Sequence, residues 1–355
     1  MKNGIYIYGI IKTSDPQEFG EIGIGSEAPH ALPLDSADAQ RSRASGVAES
    51  PFKVRTLGFK NLAAVVSRSS LMAYDSLAKE KIIKDLVTHQ FVIEKVMQSF
   101  TIIPVKFGTM VETADEAIQF LEKGYALLSN ALHQVEEKIE LDVVAGWELP
   151  KILAALFRDN DQIQKKQNEI ALQAANTSLE DKVALGKLIE QALQTKKAGC
   201  HQLILQTLKQ EALDARLHEP ADDEMIFNAA FLLEKKREEF FHQVVNSLDQ
   251  KLEKTVNFRV VGPLPAYSFS TILLEKIDPP RLAEAQKILT LNGELTDKTI
   301  RDAYHRLAQK YHPDKSSAEN APKFHLIHAA YRTLKNYVEN GSLHVEVYQW
   351  EKDFT

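Results

Sequence analysis

Cysteine is almost missing from this chain: Cys200 is the only one in 355 residues. A lone thiol excludes an internal disulfide and any cysteine-cluster metal site. Long apolar runs are missing as well, and none reaches the ~18 residues of a membrane-crossing helix. The start, Met1–Lys12, is too short and too rich in tyrosine for a signal peptide, so a cytoplasmic chain is expected. Neither sign of charge dominates. A net charge of −6 gives no electrostatic reason to expect nucleic acid or a membrane surface as a partner. No glycine-rich phosphate loop follows a strand-like run, and no solenoid period, nucleophile–base arrangement or metal motif is present. No enzyme activity, cofactor or resident metal is therefore expected.

What is present describes an ordinary globular chain, 44% apolar and 26% charged. Its length exceeds the size at which one core stops growing, which implies two or three domains. Gly4–Ile11 is continuously apolar, the pattern of a strand buried on both faces. Residues 20–50, rich in Ser, Ala, Asp, Pro and Gly, are expected to form a mobile loop. Phe52–Leu57 and Leu62–Ser67 flank Gly58–Asn61 as a hairpin. Ser76–Phe100 has a helical period, with Ile82, Leu86, His89, Ile93, Val96 and Phe100 on one stripe. Thr101–Thr109 reads as an extended run whose proline suits an edge, and Thr113–Ile139 as one helix. Ile139–Trp147 is a strand candidate, and Pro150 suits the first turn of helix Lys151–Arg158. Residues 161–218 read as almost all helix, restarted by a cap at Ser178 and bent or broken near Ala198-Gly199. Met225–Leu233 is strand-like. Glu234–Leu252 is helical, with Phe240, Val244 and Leu248 near one face. Val256–Gly262 and Tyr267–Leu274 are the last strands.

This order predicts an α+β fold whose second domain is ferredoxin-like with a helical insertion, rather than a nucleotide-binding doubly wound sheet. The expected division is 1–137, 138–275 with helical extension 161–218, a separable helical domain 276–340 beginning at the stiff Asp278-Pro279-Pro280, and a tail 341–355.

Thr296–Leu334 carries the strongest functional signal. Ile300, Tyr304, Leu307 and Tyr311 form one helical stripe behind an N-cap at Thr296. Pro313 ends that helix at Tyr311 or His312. Lys315–Ala321 is a polar loop, and Phe324, Ile327, Tyr331 and Leu334 form a second stripe. Two such helices must turn antiparallel to bury both stripes. Cations crowd the first: Lys298, Arg301, His305, Arg306 and Lys310, opposed on it by Asp297 and Asp302. The Ala303-Tyr304-x-Arg306-Leu307-Ala308 run, Lys310-Tyr311, the tip His312-Pro313-Asp314, Ala330-Tyr331 and the upstream Ile288-Leu289 together resemble the J domain of DnaJ-type co-chaperones. Thr290 stands where many J domains have Gly, and Asn336–Thr355 lacks their fourth-helix pattern. The resemblance implies a DnaK-type chaperone as partner, contacted by His312, Pro313, Asp314, Arg301, His305 and Arg306. The bland alternative is that the tripeptide is only a helix stop.

The first 275 residues resemble the GvpL/GvpF family of gas vesicle proteins. The resemblance rests on Tyr6-x-Tyr8-Gly9, Leu62–Ser67, His89-Gln90-x-Val92-Ile93-Glu94, Pro104–Thr109, Val183–Gly186, Asn228–Leu232 and Gly262–Phe269, in that order. Lys106 replaces a usual Arg, and Leu264 a frequent Trp. The resemblance implies an accessory protein, gas vesicle associated, that binds the small hydrophobic shell protein and other gas vesicle proteins. With the J-type hairpin it implies an assembly factor that recruits a chaperone. The alternative is a minor structural component of the shell with a non-recruiting J-like segment.

Other residues have plainer readings. His89 lies on an apolar stripe with no ligand-spaced partner, as a buried, hydrogen-bonded histidine would. His325 and His328 are i, i+3 on a helix beside His305 and His312, without a metal role being needed. Pro104–Thr109 reads either as a binding loop or as a connection whose Pro and Gly satisfy the backbone. Lys235–Glu239 reads as a solvated face.

Overall fold

The computed structural model describes residues 3–25, 50, 52–70, 78–172, 178–222, 224–252, 255–311 and 321–348. By the density of contacts, Met1–Gln134 with Ser270–Tyr348 form one compact unit, and Val135–Phe269 a second.

The first unit begins with β1 (Asn3–Lys12), β2 (Glu18–Gly20), β3 (Val54–Phe59) and β4 (Leu62–Ser70). Then follow α1 (Lys79–Met97), β5 (Ile102–Pro104), β6 (Met110–Val111), α2 (Ala114–Lys123) and α3 (Tyr125–Val135). The sheet order is β2-β3-β4-β1-β5, with β6 also on β1. β1 has no polar side chain apart from its tyrosine hydroxyls between Gly4 and Ile11, so it can occupy the centre, and Ile5–Tyr8 and Ile10–Ile11 are all buried. The hairpin turn is tighter than expected: Phe59 pairs with Leu62, and Lys60 takes φ +55°.

Three expectations change here. α1 buries Asp85, Thr88, His89, Val92, Ile93 and Val96, whereas Leu86 is 48% exposed. The stripe is rotated because the helix packs through His89 and Val92 rather than through its most apolar arc. The single helix over 113–139 is two, split at Gly124 and followed by a strand from Lys138; a Cβ at Gly124 would lie 2.9 Å from Val345 Cγ1. The start of the 20–50 segment is held in the fold. Gly23 N donates to Phe52 O (2.8 Å), Ile24 N donates to the Tyr8 hydroxyl (2.7 Å), and Ile24 is buried. Residues 26–49 lie outside the described residues.

The second unit contains β7 (Lys138–Trp147), α4 (Leu149–Asp159), α5 (Asp161–Leu172), α6 (Leu179–Lys209), β8 (Asp214–Leu217), β9 (Met225–Glu234), a short 3-10 turn, α7 (Glu238–Lys251) and β10 (Val256–Leu264). The strand order β10-β7-β9-β8, all pairs antiparallel, with helices after the first and third strands, is the ferredoxin-like arrangement with α4–α6 as its enlarged first crossover. Ser178 caps α6 by accepting from Asp181 N (3.1 Å). Ala198-Gly199 does not break α6, and Asp214–Leu217 is strand, not helix. Arg216 and Ala215 are buried there because β8 pairs with β9, a non-local contact. In α7 Leu248 is buried as expected, but Phe241 and Val245 are buried in place of Phe240 and Val244, and Phe240 is exposed.

The chain then returns to the first unit through β11 (Thr271–Lys276), α8 (Pro279–Ile288), α9 (Asp297–Tyr311), α10 (Ala321–Asn340) and β12 (Leu343–Tyr348). Tyr267–Phe269 form a turn rather than the start of β11. Asp278-Pro279-Pro280 is the first turn of α8: the Asp278 carboxylate accepts from Arg281 N (2.9 Å), and proline is preorganised for a first helical turn. Where a tail was expected, β12 pairs with β11 from Thr271↔Tyr348 to Lys276↔Leu343. Ala285, Leu289, Ile300, Ala303, Ile327, Ala330 and Leu334 form the buried core of the three helices, with Tyr304, Leu307 and Tyr311 packed on it. Phe324 is only half-buried.

Candidate functional site

Helix α9 is built as its sequence demands. Thr296 Oγ1 accepts from Thr299 N (3.2 Å) while Thr299 Oγ1 accepts from Thr296 N (3.0 Å), a reciprocal cap with threonine in place of the usual acidic partner. Tyr304 stacks on Tyr331 of α10, ring centroids 4.3 Å apart, which locks the two helices face to face. With Ile300 and Ala303 turned inward, Arg301, His305 and Arg306 are exposed on the other side of the helix. Lys298 and Lys310 are exposed with them. Arg301 pairs with Asp297 one turn earlier, and Arg306 Nη2 reaches Thr290 Oγ1 at 3.4 Å. Lys310 Nζ lies 5.3 Å from the Tyr311 ring centre. Arg301, His305 and Arg306 thus share one solvent-facing helix. α9 ends at Tyr311. His312, Pro313 and Asp314, with most of the loop Lys315–Ala321, lie outside the described residues.

Thr290 is the residue that joins α8 to this face. Its φ is +55°, the left-handed conformation that normally selects glycine. Thr290 N bonds Lys287 O (3.1 Å) and Leu291 N bonds Gln286 O (2.9 Å), the paired bonds of a Schellman helix end. Glycine at this place in many J domains therefore has a backbone reason, and here the turn forms without it.

Two buried polar clusters lie in the body. In the first unit, the Tyr6 hydroxyl accepts from Gly108 N (3.0 Å) and stands 2.9 Å from His89 Nδ1. The Tyr8 hydroxyl is 2.8 Å from Ser67 Oγ, and burial pushes it up to about 12. Burial drives His89 down to about 4, so its ring is neutral. Val105 N bonds Tyr8 O (2.9 Å), and Thr109 N bonds Lys106 O (3.2 Å), with Gly108 at φ +84°. Pro104–Thr109 is therefore the connection whose Pro and Gly satisfy the backbone, and His89 is a hydrogen-bonded core residue. Tyr6, Tyr8, His89 and Gly108, scattered along the sequence, meet here.

The second cluster was not foreseen. Glu140 on β7 is buried and accepts from Ser268 N and Ser268 Oγ, both at 2.8 Å. His218 Nε2 lies 3.4 Å from the same hydroxyl. Burial, with the nearby Asp142 charge adding, pushes Glu140 up to about 8. Alternation along β7 could have flagged it, because Glu140 breaks an apolar run with a charge that must then find partners. Among the described residues no three His, Cys, Asp or Glu side chains are grouped to hold a metal, and no helix is long and apolar enough to cross a membrane.

An α+β body, its second unit ferredoxin-like, bearing a cation-faced helical hairpin, defines a J-domain fusion protein. Residues 4–271 match the model of gas vesicle synthesis protein GvpL/GvpF, and residues 285–340 that of the DnaJ domain. The chain belongs to the GvpL/GvpF family of gas vesicle synthesis proteins and carries a DnaJ domain. Gas vesicle protein F of Nostoc sp. strain PCC 7120 is 24% identical over 275 residues, covering 77% of this chain and 100% of the relative. Gas vesicle protein F of Streptomyces sp. strain CB03234 is 28% identical over 264 residues, covering 74% and 98%. The crystal structure of GvpF from Anabaena sp. PCC7120 superposes with a TM-score of 0.55 at 23% identity, over 75% of this chain and 97% of that one, which shows the shared fold.

Proposed function

We propose that this gas vesicle protein is an assembly factor: its body binds the small hydrophobic shell protein, and its J domain recruits a DnaK-type chaperone to that cargo in the cytoplasm. The observation that supports it most is the solvent-facing row Arg301, His305 and Arg306 on a packed J-type hairpin, in one chain with a GvpL/GvpF body. Such a face attracts an acidic partner and speeds its docking in a salt-dependent way. Asp314 can make a charge-assisted bond to a partner cation. A subunit that lines a gas-filled space must expose apolar surface, and such surface aggregates in water, which is the need a holding body and a recruited chaperone meet.

Single-turnover ATP hydrolysis by the cognate chaperone tests the reading. Wild type should stimulate it, and His312→Gln should abolish stimulation with the melting curve nearly unchanged. No stimulation by wild type would discard chaperone recruitment and favour a minor shell component whose J-like segment recruits nothing, and equal stimulation by both proteins would discard the role of His312.

A further inference from the structure

The relatives of the body stop where the helical bundle starts. The family match ends at residue 271, and the whole of the Nostoc relative is matched within 77% of this chain. The bundle is an addition, and an added module can hang on a tether or be built into its host.

Here the chain leaves no tether. Between β11 and α8 stand only Ile277 and Asp278. Ile277 is 2% exposed and its N–H donates to Ser342 O (2.8 Å), while Asp278 caps α8. On the way out, α10 is followed at once by Gly341, Ser342 and β12. β12 then pairs with β11 along its length, so the bundle is an insertion between two partnered strands.

That ribbon is fastened to the N-terminal sheet and helices. Ile272 is fully buried, its carbonyl accepts from Lys106 N (2.9 Å), and it bridges Val105 in parallel. Val345 fills the space over Gly124 between α2 and α3. Lys276 Nζ lies 2.6 Å from Glu116 Oε1 and 3.4 Å from Glu112 Oε1. On the bundle side, Arg332 of α10 pairs with Glu346 of β12 at 3.6 Å, and Arg281 of α8 with Glu275 of β11 at 2.6 Å.

We infer that the β11–β12 ribbon is a rigid mount, which folds the J bundle cooperatively with the N-terminal sheet and presents the Arg301–His305–Arg306 face at one fixed bearing to it. A tethered bundle would sweep a volume and dilute its partner. A mounted one delivers any protein bound to that face to a single place over the N-terminal unit.

Two measurements on the full-length protein test this. In a Cys200→Ala background, spin labels at positions 122 and 309 should give one narrow distance peak, which Val345→Asp should broaden by driving β12 off Gly124. A broad peak before that change, or an equally narrow one after it, overturns the mount. Native-state hydrogen exchange needs no variant. With rising denaturant, α8–α10 and β11 should lose protection together with β5. Bundle amides that open at lower denaturant while β5 stays protected overturn the inference as well.

Discussion

Thr290 shows how a single backbone angle links a helix end to a partner-facing surface. A threonine held at φ +55° costs on the order of 1 kcal/mol relative to the right-handed region. Thr290→Gly removes that strain but gives up the bond from Thr290 Oγ1 to Leu289 O (2.7 Å) and frees the unfolded chain. The net expectation is a stabilisation of about 0.5 kcal/mol, read as a higher denaturant midpoint. A lower midpoint would mean that the hydroxyl contacts outweigh the strain. The two buried clusters predict opposite pH slopes. His89, lowered from 6.5 to about 4, is protonated in the unfolded chain first, so stability falls as pH drops through that window, by at most ~3 kcal/mol. Glu140, raised from 4.5 to about 8, binds its proton more tightly in the folded chain, so stability is greatest below 4.5 and falls as pH rises towards 8. Melting temperature against pH should lose its fall below pH 6.5 in His89→Gln and its decline between pH 4.5 and 8 in Glu140→Gln. Unchanged profiles would place the titrating groups elsewhere.

At the scale of elements, the hairpin was legible because its order is local. The stripes of α9 and α10 and the cap at Thr296 are written within a few residues of where they act. Core and surface of this hairpin should separate cleanly in experiment. Leu334 is fully buried, so Leu334→Ala should cost roughly 2–5 kcal/mol and lower the denaturant midpoint of the bundle and of the sheet it is mounted on. Arg306→Ala should leave the melting curve within ~0.5 kcal/mol yet weaken chaperone stimulation, most at low ionic strength where charge steering is strongest. Loss of stimulation independent of salt would mean Arg306 acts through the fold. Other elements were less legible. Leu343-His344-Val345-Glu346-Val347-Tyr348 alternates as a strand should, but its partner lies on the far side of three helices. The buried faces of α1 and α7 were each read only in part, with His89, Ile93, Val96 and Leu248 buried as expected, because the most apolar arc of a helix is not always the arc its neighbours cover.

For the whole molecule, the addition of a DnaJ domain to a GvpL/GvpF body gives the functional proposal its sharpest consequence. Co-expression with the small hydrophobic shell protein should raise that protein's soluble fraction and allow the two to be recovered together. Failure to associate, with no gain in solubility, would remove the holding role even if chaperone stimulation survives. The sequence by itself determined the α+β class, the interleaving of strands and helices from Ile139 onward, and the J-type hairpin, because period, caps and proline stops act over short distances. Tertiary structure alone decided that Tyr6, Tyr8, His89 and Gly108 meet, and that β12 returns to β11. Those outcomes depend on pairings between distant segments, whose free energy comes from burying the surfaces together and is not carried by either segment alone.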